Sequence, residues 1–183
     1  MRKFNAILTA AIMVLFLVHA AAGGFQLAGW LVGGSVIPQT AAWAMTVLVG
    51  IHTLIGIKLT ANTLKAIRSS GASYYKQNRL FWLRRISGFA VMLFLIVHVL
   101  IFVGEGKGSS YRLSLFEGVQ LASQILLVVS LALHILSNVK PMMFSFGIKS
   151  CKELGLDLLV VLSVLLVLMG AAFVVYYLRW NVF

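Results

Sequence analysis

The sequence predicts an all-α integral membrane protein, a five-helix transmembrane bundle that takes residues 1–183 as a single domain. Three observations carry this. Apolar residues make up 61% of the chain and charged residues only 10%, where a soluble domain carries about 25% charged. Mean hydropathy is +1.02, and the apolar residues gather into five runs near the roughly 20 residues that cross a bilayer as a helix. The charged residues fall between those runs and favour alternate loops, the usual mark of membrane topology. The spans and their short loops use the length, so chemistry on a polar metabolite is expected on another subunit.

The first span is expected from about Phe4 to Gly24. Arg2-Lys3 ahead of it and Ala20-Ala21-Ala22 near its end give it the look of a secretory signal. Apolar sequence nevertheless runs on from Phe25 to Trp30, and cleavage would strand His19, so the segment is read as a retained span. An uncharged loop with Gly33-Gly34 and Pro38 leads to the second span, about Thr40 to Thr60, with helix continuing toward Lys65. The segment Lys58 to Arg85 is the largest polar stretch, broken by a turn at Ser69-Ser70-Gly71. It reads as a headgroup-facing loop or as a docking platform for a partner. The third span is expected at about Arg85–Val103, the fourth at Glu117–Val139 and the fifth at Leu154–Leu178. Cys151, the one cysteine, is read as an ordinary loop thiol, and a disulfide or cysteine-held iron–sulfur cluster within the chain is excluded.

Loop charge orients the bundle. Arg2, Lys3, Lys58, Lys65, Arg68, Lys76, Arg79, Arg84, Arg85, Lys140, Lys149 and Lys152 fall on one side; Lys107, Arg112 and Arg179 fall on the other. The richer side is cytoplasmic by the positive-inside rule. The N-terminus is therefore expected in the cytoplasm and the C-terminus outside. This asymmetry accounts for the net charge of +11 without nucleic-acid binding.

Four histidines sit one apiece on the first four spans: His19, His52, His98 and His134. An imidazole within hydrocarbon is costly and marks function by default. Helical rise assigns each a depth. His19 follows Arg2 by 17 residues and His98 follows Arg85 by 13, on outward-running spans, which places both in the outer half. His52 precedes Lys58 by 6 residues and His134 precedes Lys140 by 6, on inward-running spans, which places both in the inner half. The depth argument pairs His19 with His98 and His52 with His134. A weak internal repeat agrees: the segments from His52 to Lys58 and from His134 to Lys140 both read His-x-Leu-x-x-[Ile/Val]-Lys, and Phe16-Leu-Val-His19 echoes Leu95-Ile-Val-His98. Two axial pairs are what two haems b need, since haem iron takes a ligand on each face. A membrane histidine also serves as a helix-to-helix hydrogen bonder or proton relay.

Other residues support two readings each. Gly23 and Gly56 follow His19 and His52 by four residues, on the same helix face, where they give room for a flat macrocycle or for close helix packing. Lys58, Lys140, Arg84 and Arg85 are candidates to meet haem propionates, or they snorkel to the cytoplasmic surface. No Asp or Glu lies at the middle of a span, which disfavours a carboxylate-driven transporter.

This pattern resembles the dihaem cytochrome b membrane anchor of succinate:quinone oxidoreductases, the succinate dehydrogenases and fumarate reductases. One-subunit anchors of that family have five spans, with one ligand histidine on each of the first four. His19, His52, His98 and His134 fit that order, and the segment Arg84-Arg-Ile-Ser-Gly-Phe-Ala-Val-Met-Leu-Phe-Leu-Ile-Val-His98 looks like a ligand-bearing span. The resemblance implies two haems b in a bacterial cytoplasmic membrane and a membrane quinone, menaquinone, as substrate. It implies cytoplasmic partners: an iron–sulfur subunit and a flavoprotein with FAD, in a complex that can form a higher oligomer. For the quinone, Gln26, Glu105, Lys107 and Glu117 are the outer candidates, and Ser87 with Arg84 and Arg85 the inner ones.

Overall fold

Each apolar run forms an α-helix in the computed structural model, which describes residues 2–31, 36–70, 78–103, 116–148 and 152–181. The helices are α1 (Arg2–Leu27), α2 (Val36–Ser70), α3 (Arg79–Phe102), α4 (Gly118–Ser145) and α5 (Lys152–Asn181). All five are long and apolar enough to cross a membrane. Among the described residues there is no strand, as expected where the backbone must satisfy its own hydrogen bonds in lipid. Lys76, Glu105, Lys107, Arg112, Lys149 and Cys151 lie outside the described residues, as do Gly33 and Gly34.

The helices outrun the hydropathic spans, and local chemistry explains where they stop. At the end of α1, Gly29 takes φ +80°. The Trp30 N–H donates to the Phe25 carbonyl at 2.8 Å and the Gly29 N–H to that of Gln26 at 3.0 Å, while the Phe25 and Trp30 rings stack. This is a Schellman cap with its hydrophobic contact. The end of α4 repeats the bonding pattern at Gly147, φ +82°, with Ile148 N–H to the Met143 carbonyl at 3.1 Å. Asn78 caps α3, its side chain accepting from the Phe81 N–H. Glu117 caps α4 in a capping box with Gln120. Helix α4 therefore continues six residues past the Val139 limit expected from hydropathy, with Pro141 inside it.

Packing is inside-out relative to a soluble bundle. Buried apolar side chains are few, whereas large exposed ones such as Leu54, Phe89, Leu100, Val119 and Val167 cover the helices. In a bilayer this surface meets lipid, and helix association relies on close packing and interhelical hydrogen bonds. Helix α3 packs most extensively on α4, α4 on α5, and α1 on α2 and α5. Ala20 and Gly24, one turn apart on α1, are buried, and a side chain at Gly24 would run into Met169 of α5. At one end of the bundle Leu27, Phe116, Phe173 and Tyr176 form a cluster that Phe102 packs against. There Arg179 of α5 donates to the Ala28 carbonyl at 3.1 Å and fills the space over Gly29.

Gly29→Ala should therefore destabilise the fold by at least roughly 1–2 kcal/mol, the cost of a left-handed backbone for a residue with Cβ, with the collision against Arg179 added. Thermal unfolding in detergent measures it. Gly50→Ala, where an added methyl meets nothing within 4 Å, is expected to leave the transition in place.

Candidate functional site

The four histidine rings stand as two facing pairs. His19 and His98 have ring centres 6.1 Å apart with planes at 83°. His52 and His134 have centres 6.3 Å apart with planes at 80°. The partners are those expected from depth.

The pairs occupy two levels of the bundle, and three helices give the same separation. On α1, Thr9 touches His52 and His19 lies ten residues on. On α3, an added Cβ at Gly88 would touch His134 at 3.1 Å, and His98 lies ten residues on. On α4, Gln124 touches His98, and His134 lies ten residues on. Ten residues of helix span about 15 Å.

Each ring is anchored through its Nδ1 side where an anchor exists. His98 Nδ1 donates to Gln124 Oε1 at 2.7 Å. His134 Nδ1 donates to the Arg84 carbonyl at 3.2 Å, with the buried Ser87 hydroxyl at 3.5 Å. His52 Nδ1 lies 3.4 Å from Thr9 Oγ1. The Thr9 hydroxyl donates its hydrogen to the Asn5 carbonyl at 2.8 Å, so its oxygen is the acceptor for His52. The Gln124 and Arg84 oxygens can only accept, so His98 and His134 carry their proton on Nδ1, which leaves the Nε2 lone pair as a metal donor. His19 has no such anchor among the described residues. Each pair can hold one metal ion through a nitrogen on either side. Among the described residues no three His, Cys, Asp or Glu side chains come together; what the structure brings together at each level is a pair of imidazoles.

The second pair is held by a reciprocal clamp. Pro141 has no N–H, so the Ser137 carbonyl one turn earlier lacks its helical donor. Arg84 of α3 supplies one, its Nε donating to that carbonyl at 2.9 Å. The Arg84 carbonyl in turn accepts from His134. One arginine therefore repairs α4 and orients its histidine.

The remaining candidates are placed as follows. Arg85 lies close enough to act electrostatically on both His52 and His134, and its guanidinium also covers the Phe81 ring at 5.1 Å. Lys58 is exposed. Lys140 is exposed too, with its ammonium 5.7 Å over the Phe144 ring. Ser87, read from sequence as an inner quinone candidate, is 3% exposed and sits against His134. Glu117 is at the helix cap already described. Gln26 is half-buried, its carbonyl engaged in the turn after α1. Glu105 lies outside the described residues. Gly23 and Gly56, like Gly50, have nothing within 4 Å of an added Cβ among the described residues. Close packing falls instead at Gly24 and Gly88.

Sequence reasoning missed Gln124 and Thr9. The signal for Gln124 was present: an amide side chain inside an apolar span, at a depth matching that of His98. Phe102 and Phe173, whose ring centres lie 4.8 and 6.4 Å from that of His98, were equally unmarked, because aromatic residues in a membrane span carry no distinguishing pattern.

Arg84→Met should cost roughly 1–3 kcal/mol, since it leaves the Ser137 carbonyl without a donor. Pro141→Ala restores the backbone N–H to that carbonyl. The double variant is accordingly expected to lose less than the sum of the two single changes, measured as a double-mutant cycle on unfolding in detergent.

Compared with protein-family models, with curated proteins and with solved structures, the chain finds no match.

Proposed function

We propose that the chain is the dihaem cytochrome b anchor of a succinate:quinone oxidoreductase, with one haem b between His19 and His98 and a second between His52 and His134. The facing of the two pairs carries this reading. An imidazole nitrogen binds a transition metal at about 2.0–2.1 Å, and its ring centre lies about 1.1 Å behind, so rings on opposite faces of one iron have centres about 6 Å apart. The observed separations are 6.1 and 6.3 Å. The Nδ1 anchors on three rings are the outer partners that orient metal-binding imidazoles.

The surroundings support it. Helix α2 packs on α1 but is not among the closely packed partners of α3 or α4, although His52 faces His134. Gly23 and Gly56, one turn after His19 and His52 on the same helix face, have nothing within 4 Å of an added Cβ among the described residues. Arg85, with Lys58 and Lys140 toward the same membrane surface, is the cation set for propionate carboxylates at the inner level. When bound, the haems carry electrons one at a time across the bilayer. The chain's own residues hold and orient them, keep water out with apolar helices, and bind the quinone. By the positive-inside rule, the His52–His134 level lies nearer the cytoplasm, where an iron–sulfur subunit and an FAD flavoprotein would dock on a bacterial cytoplasmic membrane. The alternative is a cytochrome b anchor of a different dehydrogenase, or a haem-free transporter or assembly protein whose histidines bond helix to helix. The contacts of His52, His98 and His134 with Thr9, Gln124 and Arg84 suit that role too, and the ring separations of 6.1 and 6.3 Å favour haem.

The purified chain should give a reduced-minus-oxidised spectrum of haem b at two haems per chain, and should co-purify with a flavoprotein. His98→Ala is expected to remove the outer haem and halve the haem content. A folded chain without haem overturns the proposal, and loss of only the inner haem overturns the pairing.

A further inference from the structure

Gln124 is 0% exposed and lies within an apolar stretch of α4. Burying an amide away from water is costly unless its donors and acceptors are met. Both ends of this one are met. Its Oε1 accepts from His98 Nδ1 at 2.7 Å, at the short end for an N–H···O bond. Its Nε2 donates to Ser123 Oγ at 3.1 Å, and the Ser123 hydroxyl donates to the Gln120 carbonyl at 2.7 Å. The direction follows from the serine. Its hydrogen is committed to Gln120, so its lone pairs face the amide nitrogen, and the amide turns its oxygen toward His98. His19, across the pair, has no Nδ1 acceptor among the described residues, so anchoring at this level comes through His98 alone.

We propose that Gln124 is a positioning residue that sets the electron affinity of the His19–His98 centre. The inference rests on the haem reading above. An acceptor on the Nδ1 proton makes the ring a stronger donor through Nε2, and a stronger donor favours the more positive, oxidised iron. One electron is gained on reduction and no proton moves, because His98 keeps its Nδ1 hydrogen in both states. Removing the acceptor should therefore make the outer centre easier to reduce. The expected change is about tenfold in the reduced-to-oxidised ratio at fixed potential, which is about 59 mV for a one-electron couple.

The test is a mediated redox titration of the full complex, following the optical bands of both centres, with the outer one assigned by His98→Ala. Gln124→Met, close in shape and with only a weak thioether acceptor in place of the amide oxygen, should raise the outer midpoint by about that amount and leave the inner one in place. Ser123→Ala, which loosens the amide, should raise it less. Gln124→Glu, which retains an oxygen acceptor, should hold the outer midpoint at or below its original value. A merely structural residue would not produce this order. The proposal is overturned if the outer midpoint stays fixed in Gln124→Met, or if both midpoints move together. Should Gln124→Met lose the outer haem, an unmoved outer midpoint in Ser123→Ala overturns it. Absence of haem from the unsubstituted complex instead overturns the underlying haem reading, and this inference with it.

Discussion

A polar atom at the depth of the lipid tails must find its partner inside the protein, and this requirement orders the bundle. The α3–α4 contact shows how. Pro141 removes a donor from α4, Arg84 reaches across to replace it, and the Arg84 carbonyl is thereby set to receive His134. One level away the same two helices are joined again, through His98 and Gln124. Polar bonds at two depths leave little freedom for one helix to slide or rotate on the other, and this is the most extensively packed helix pair among the described residues. Helices α1 and α5 meet differently, with Gly24 admitting Met169 and Arg179 closing over the α1 turn.

Helix α2 is the exception that gives the site its shape. It is held to α1, where Thr9 meets His52, and it touches α3 through the Thr53 hydroxyl against Met92 Sδ at 3.2 Å. Elsewhere its glycines face open space. The ring of His52 thus reaches toward His134 from a helix that does not itself pack on α4. A bundle that closed tightly on all sides would bring the helices together and leave no width between the rings. Two levels about 15 Å apart, each with a facing pair, are the geometry on which the proposed passage of electrons along the bundle axis rests.

Much of this was legible in the sequence. Hydropathy located five spans, and charge between them with helical rise sorted the histidines into the pairs now seen facing. The helix ends were less legible. The Val139 limit fell short because hydropathy ends where charge begins, whereas a helix ends where its carbonyls find other donors, here at Gly147. The two readings of Gly23 and Gly56 could not be separated from composition, since a missing side chain looks alike in a tight contact and beside open space. Ser87 and Glu117 were read as quinone candidates from polarity and depth; the structure adds that Ser87 is buried against His134 and that Glu117 caps α4.

The sequence by itself determined the class of protein, the number of spans and the levels of the four histidines, because these depend on composition and on position along a helix. Only the tertiary structure decided what each imidazole leans on. Thr9, Arg84 and Gln124 come from different helices than the rings they hold, and the carbonyl that receives His134 carries no side-chain identity. Such contacts depend on how helices are rotated and packed about one another, which position along a single helix does not specify.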